Sequence, residues 1–185
     1  MPDDVQLLQD YARRGDVRSL SALVVRHGAW LNALLRGLLP ARADADDAFQ
    51  DVWMRVIRRA DGYRGGNVKA YLARIARTAA IDRLRRGERT VSLDVRDEEG
   101  VSCAENIPAP GPGPREAVEV RASAEEVRAA LRELHPGPRQ VLLLRIEAEM
   151  SFREIAEELD VPIGTALTWM RAAVDHLKRK LGGQA

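Results

Sequence analysis

Ser151-Phe152-Arg153-Glu154 restricts what this chain can fold into more than any other four residues. A serine three positions ahead of a glutamate, just before apolar residues at helical spacing, is a capping box. Each side chain satisfies one of the helix's first orphan N–H groups. Phe152, Ile155, Ala156 and Leu159 lie on one face of the helix so started. Asp160-Val161-Pro162 ends it, because proline has no N–H and disfavours helix in the residue before it. A second helix follows, with Ala166, Met170, Ala173 and Leu177 facing inward. Thr165, Thr168, Arg171 and the Lys178-Arg179-Lys180 tail are left to face outward. Two short helices about a tight turn, the second with a polar face, predict a helix-turn-helix. The plainer alternative is a helical hairpin inside a bundle.

The rest of the chain also reads as helix. Apolar spacing predicts a short helix from Asp3 to Arg14, ended near Gly15, and a longer one from Asp16 to Leu39, stopped by Pro40. A third is expected from a cap at Asp44 to about Ala60, with Ala45, Ala48, Phe49, Val52, Trp53, Val56 and Ile57 as its apolar stripe. Its other face carries Asp46, Asp47, Gln50, Asp51, Arg55 and Arg58, acids early and arginines late, as the helix dipole favours. After the glycine-bearing loop at 61–66, Asn67 is expected to cap a fourth helix to about Arg86. Its inner face is Val68, Leu72, Ile75, Ala76, Ala79, Ala80 and Leu84; Lys69, Arg74, Arg77, Arg83, Arg85 and Arg86 line its outside. Periodicity is lost over 88–114, where an acidic run and Gly111-Pro112-Gly113-Pro114 predict a flexible linker. Helix resumes from about Arg115 to Leu134, and Pro138 is placed to open the next segment. The fold class expected is therefore all-α: a four-helix domain over 1–87, a linker over 88–114 and a helix-turn-helix domain over 115–185.

Composition narrows the function. Aromatic residues make up only 4% of the chain, which argues against a sandwich or barrel. The single cysteine, Cys103, excludes an internal disulfide and a cysteine-rich zinc site. There is no membrane-length apolar run and no signal-peptide pattern at the N-terminus, so a cytoplasmic protein is expected. His27, His135 and His176 lie on separate elements without metal-ligand spacing, and His27, on an apolar face, reads as a packed core residue. Asp46, Asp47 and Asp51 sit on a helix and lack the loop spacing of a calcium site. No catalytic residue, metal site or cofactor is expected. Basic surfaces in two different domains point instead to nucleic acid, since two weak modules on a tether gain affinity through effective concentration.

These residues also carry a resemblance. The stretch DADDAFQDVWMRVIRRADGYRGGNVKAYLARIARTAAIDRLRR resembles region 2 of the bacterial extracytoplasmic-function sigma factors. LHPGPRQVLLLRIEAEMSFREIAEELDVPIGTALTWMRAAVDHLKRKL resembles their region 4, in the same order and with an unrelated linker between. The resemblance implies an alternative sigma factor: a non-enzyme that binds core RNA polymerase at the β′ clamp and β flap, binds promoter DNA, and leaves room for an anti-sigma factor as a further partner. It places Asp47, Gln50, Asp51 and Arg55 on the β′ clamp. Tyr63, Arg64, Asn67, Lys69 and Tyr71 would meet the −10 element, where a base is flipped out of the stack. Arg74, Arg77, Arg83, Arg85 and Arg86 would hold the non-template strand by its phosphates. Gly164, Thr165, Leu167, Thr168, Trp169, Arg171 and Lys178 would meet the −35 element.

The sequence departs from the family pattern at Leu167 and Trp169, which replace charges expected to grip phosphate or base edges. Trp169 is left with two readings, packing on DNA or anchoring a protein. Two rivals also remain at this point: a free-standing helix-turn-helix regulator that never joins polymerase, and a helical adaptor between proteins. Only the sigma-factor reading gives the acid-and-glutamine face a role.

Overall fold

The computed structural model of the chain describes residues 3–90 and 114–181. Among the described residues there are eight α-helices, one 3-10 turn and no strand. Helix α1 (Asp4–Arg14) ends where Gly15 takes a left-handed φ of 65° and returns its N–H to the Tyr11 carbonyl. Asp16 opens α2 (Val17–Leu38) by accepting from the Arg18 N–H at 3.1 Å and the Ser19 hydroxyl at 2.6 Å. Helix α3 (Arg42–Arg59) begins earlier than expected, from Ala41 and with no side-chain cap, so Asp44 lies inside its first turn. There the carboxylate meets Arg83 at 3.7 Å and is committed to a neighbouring helix. The 3-10 turn at Ala60–Gly62 leads to α4 (Val68–Thr90), which Asn67 caps as expected by accepting from the Ala70 N–H.

Helix α4 runs to Thr90 and so takes the first residues of the expected linker. Residues 91–113, with Cys103 among them, lie outside the described residues. Helix α5 (Pro114–Glu133) starts on the last proline of the GPGP stretch. Helix α6 (Pro136–Ile146) begins two residues before Pro138. Both prolines fit there, because N–H groups in a first turn have no intrahelical partner to lose. Helix α7 (Phe152–Leu159) carries both bonds of the capping box: Ser151 Oγ accepts from the Glu154 N–H, and Glu154 Oε2 accepts from the Ser151 N–H at 2.8 Å. Asp160, at φ 53°, turns the chain into α8 (Ile163–Leu181).

Helix α2 holds this arrangement together. Leu23, Leu31, Leu34 and Leu35 are at most 1% exposed, packed among α1, α3 and α4. The buried residues form one continuous cluster that extends from this bundle into α6, α7 and α8. The crossing point is Gly37, where an added Cβ would lie 2.6 Å from Leu143 Cδ2. Ile57 and Leu84, expected to face inward, sit at the edges of their stripes and are 37% and 36% exposed. The helix-turn-helix pair packs as expected, with Ala166 and Ala173 fully buried.

His27 is a core residue, as its apolar neighbours suggest. Its Nδ1 accepts from Trp30 Nε1–H at 3.0 Å, so the neutral ring carries its proton on Nε2, 3.0 Å from Asp4 Oδ2. Burial holds its pKa below the ordinary 6.5, overriding the Asp4 carboxylate. The unfolded chain therefore takes up this proton first as pH falls. The group's stability contribution is complete above about 6.5 and is lost as pH drops through that value toward the folded pKa. We expect the urea midpoint to fall between about pH 7.5 and about pH 5.5. The imidazole nitrogen resonances of His27 should report the neutral Nε2–H form at pH 6.5. A His27 that titrates above that value would contradict the assignment.

Candidate nucleic-acid interface

Three surfaces carry the residues singled out in the sequence. The first is the outer side of α3. Asp47 and Gln50 are exposed there, and Asp51 and Arg55 half-buried. Beneath the acids lies Arg83 of α4, whose guanidinium is 2.9 Å from Asp47, 3.4 Å from Asp51 and 3.7 Å from Asp44. Only 19% of its side chain is exposed. Arg83 is thus not part of an open basic row. It lies on the flank of α4 that packs on α3, where it gathers three carboxylates that would otherwise repel one another. Arg55 is similarly paired with Asp82 at 2.8 Å.

The second surface is the loop before α4 and that helix's first turns. Gly65 and Gly66 adopt φ of 93° and 105°, where a side chain would be strained. Tyr63 donates its hydroxyl to the Gly66 carbonyl at 2.7 Å, closing the loop on itself. Its ring tilts against Tyr71 with centroids 5.1 Å apart, and burial raises the pKa of both phenols. Lys69 stands over the Trp30 ring. Arg64, Asn67 and Arg74 are exposed around this pair of tyrosines. Together they form one wall of a cleft of about 400 Å³ whose other wall is Met150, Glu154 and Glu157. Arg85 and Arg86 are exposed farther along α4, where Arg86 Nε reaches the Asp82 carbonyl.

The third surface is α8. Gly164 and Leu167 are exposed near its N-terminus, and Thr168 donates its hydroxyl back to the Gly164 carbonyl. Arg171 and Lys178 are exposed farther on. Trp169 is half-buried. Its ring rests on Gly137 at the start of α6, so closely that an added Cβ would lie 2.9 Å from the ring. The reason is register: Trp169 falls three residues after Ala166 and four before Ala173, on the buried side of the helix. Gly137 was the available signal, but nothing local ties it to a tryptophan more than thirty residues away.

The sequence missed the partners that the second surface already has. Glu158 of α7 lies 2.5 Å from Arg74 and 3.0 Å from Arg77, Gln140 of α6 accepts from Arg77 at 2.9 Å, and Glu149 meets Lys69 at 2.8 Å. Among the described residues no group of histidine, cysteine and carboxylate side chains could hold a metal, and no helix is long and apolar enough to cross a membrane.

Comparison with known proteins agrees with this geometry. Residues 23–90 match the family model for sigma-70 region 2, and residues 124–177 match that for sigma-70 region 4, together more than half of the chain. The ECF RNA polymerase sigma factor SigW of Bacillus subtilis is 26% identical over 172 residues, covering 91% of this chain and 92% of that one. The ECF RNA polymerase sigma-E factor of Escherichia coli K12 is 28% identical over 181 residues, covering 92% of each. In fold, the chain is similar to CnrH, solved in complex with the cytosolic domain of CnrY, with a TM-score of 0.67, 23% identity, and coverage of 99% of this chain and 100% of that one. It is equally similar to the sigma factor RpoE of Bartonella quintana, solved with the anti-sigma factor NepR, with a TM-score of 0.67 over 89% of this chain and 97% of that one. Both region models, in this order on helices α2 to α4 and α5 to α8, assign the chain to the sigma-70 family, and the relatives it matches are extracytoplasmic-function sigma factors.

Proposed function

We propose how this alternative sigma factor, which directs promoter-specific initiation by core RNA polymerase, divides the task among its surfaces. Asp47, Gln50, Asp51 and Arg55 dock on the β′ clamp. The observation that carries this is the fixed row of carboxylates over Arg83: a charged surface whose geometry is set before any partner arrives loses little conformational entropy on binding. A free-standing regulator or an adaptor would give that row no role. The division at residues 1–87 and 115–185 belongs to the same proposal, with the β flap taken by the second part and the −35 element by Gly164, Thr165, Leu167, Thr168, Arg171 and Lys178.

Tyr63, Arg64, Asn67, Lys69 and Tyr71 receive the −10 element. The tilted tyrosine pair beside an open cleft supports capture of an unstacked base. Flipping costs a few kcal/mol, and stacking on an aromatic ring returns about 1–3 kcal/mol per base. Arg74, Arg77, Arg85 and Arg86 then hold phosphates of the separated strand. Arg83, in this account, supports the polymerase-facing acids and does not touch DNA. The chain supplies binding energy and no bond-making chemistry, so it is not an enzyme, and it acts in the cytoplasm where polymerase is. An anti-sigma partner is supported by the structural neighbour RpoE, solved with the anti-sigma factor NepR.

Two outcomes test this division. Asp51→Lys combined with Gln50→Ala should weaken core-polymerase binding at least about tenfold while leaving the helical melting transition intact. Unchanged affinity in a sedimentation or sizing assay would remove the β′ assignment. Arg74→Ala with Arg77→Ala should leave polymerase binding near wild type and lower the fraction of open promoter read by permanganate reactivity. Normal opening would show that these arginines serve only the folded protein.

A further inference from the structure

Two adjoining hollows lie where α5 passes α2. The first, of about 290 Å³, is ringed by Arg36 of α2, Arg42 at the start of α3, and Arg128 and Arg132 of α5, with Glu125 as its lining carboxylate. Asp46 lies 3.6 Å from Arg36 and 3.8 Å from Arg42, and Glu125 takes Arg128 at 2.7 Å. Positive charge therefore remains in excess there. Ala41 also lines this hollow, where α3 starts without a side-chain cap and directs the positive end of its dipole. The second hollow, of about 410 Å³, shares Arg36 and Arg128 with the first. Its other walls are mostly apolar, including Ala33, Val127, Leu131 and Leu143, and Glu147 is the one carboxylate among them.

Two polar atoms on this stretch of α2 are enclosed without a protein partner: Arg36 Nε–H, a donor, and Asn32 Oδ1, an acceptor. They stand four residues apart on one face of the helix, and both residues line the second hollow. Buried polar groups in folded proteins are nearly always paired. Two orphans of opposite sense in one hollow match a ligand that brings an anion to one and an N–H to the other. We propose that the paired hollows bind a nucleoside diphosphate. The diphosphate lies in the first hollow, where guanidiniums from α2, α3 and α5 give it charge-assisted bonds. The base lies in the second, against Leu131 and Leu143, and donates an N–H to Asn32 Oδ1. Glu147 accepts from a further N–H of the same base. Free pyrophosphate fills only the first part of this site. A nucleic-acid strand fits it poorly, because successive phosphates need cations in a row along a surface, whereas these arginines surround a concavity.

The full chain is titrated by calorimetry at one fixed low salt concentration with ADP, GDP, CDP and UDP, and with pyrophosphate. We expect at least one of the four nucleotides to bind about tenfold or more tightly than pyrophosphate, a comparison that needs no variant. Arg132→Ala, at an exposed position, should weaken binding of that nucleotide and of pyrophosphate about tenfold. Asn32→Ala should weaken the nucleotide about fivefold and leave pyrophosphate unchanged. Arg18→Ala removes the same charge from an exposed position near the other end of α2 and should change neither. No nucleotide binding, or pyrophosphate bound as tightly as all four nucleotides, would overturn the proposal. A loss in Arg18→Ala equal to that in Arg132→Ala would overturn it in favour of unspecific ion binding. A labelled, mixed-sequence single strand that loses as much affinity in Arg132→Ala as the nucleotide does would overturn it in favour of a nucleic-acid surface.

Discussion

Helix α2 is the constraint on which the rest depends. Its 22 residues bury Leu23, His27, Leu31, Leu34, Leu35 and Leu38, and it packs against α1, α3, α4, α5 and α6. Each fully buried leucine contributes about 1.5–3 kcal/mol, so this one helix fixes how α3 and α4 lie before any surface charge matters. The acidic face of α3 and the basic turns of α4 are held in register by what lies beneath them. Gly37 extends the same control to the second half, because only the absence of a side chain there lets Leu143 of α6 reach the helix.

Two arginine–carboxylate networks rest on that frame, with the same chemistry and different consequences. Around Arg83 the carboxylates come from α3, in the same bundle, so the network stiffens a surface without depending on the position of the other half. Around Glu158 the cations come from α4 and the anion from α7, across the seam between the halves. Exposed ion pairs are worth about 0–1 kcal/mol each. Arg74, 63% exposed, has little hold on Glu158 by itself, whereas Arg77, 22% exposed and also bonded to Gln140, holds it with both charge and geometry. Contacts of that size are weaker than the burial around α2.

Local signals in the sequence were legible because their physics is local. The Ser151 capping box, the Asn67 cap, the Gly15 stop and the Pro162 break each need only neighbouring residues, and the structure has all four. The all-α class followed from the same spacing. Asp44 was misread as a cap because its competing partner, Arg83, is nearly forty residues away. Trp169 packs on Gly137 of α6, a contact for which neither residue's sequence neighbours carry a signal. Arg74 and Arg77 were legible as a basic face, but sequence spacing carries no information about which distant carboxylate a helix surface will meet. Glu158 therefore becomes their partner only through the fold.

The most direct measurement is chain-dependent transcription. Core RNA polymerase would be supplied with this protein and fragmented DNA from the organism that encodes it, and the 5′ ends of the transcripts mapped. Promoter-specific initiation directed by this chain requires start sites that appear only when the chain is present and that share two upstream sequence elements at −10 and −35 spacing. Transcripts whose start sites are the same with and without the chain would contradict it.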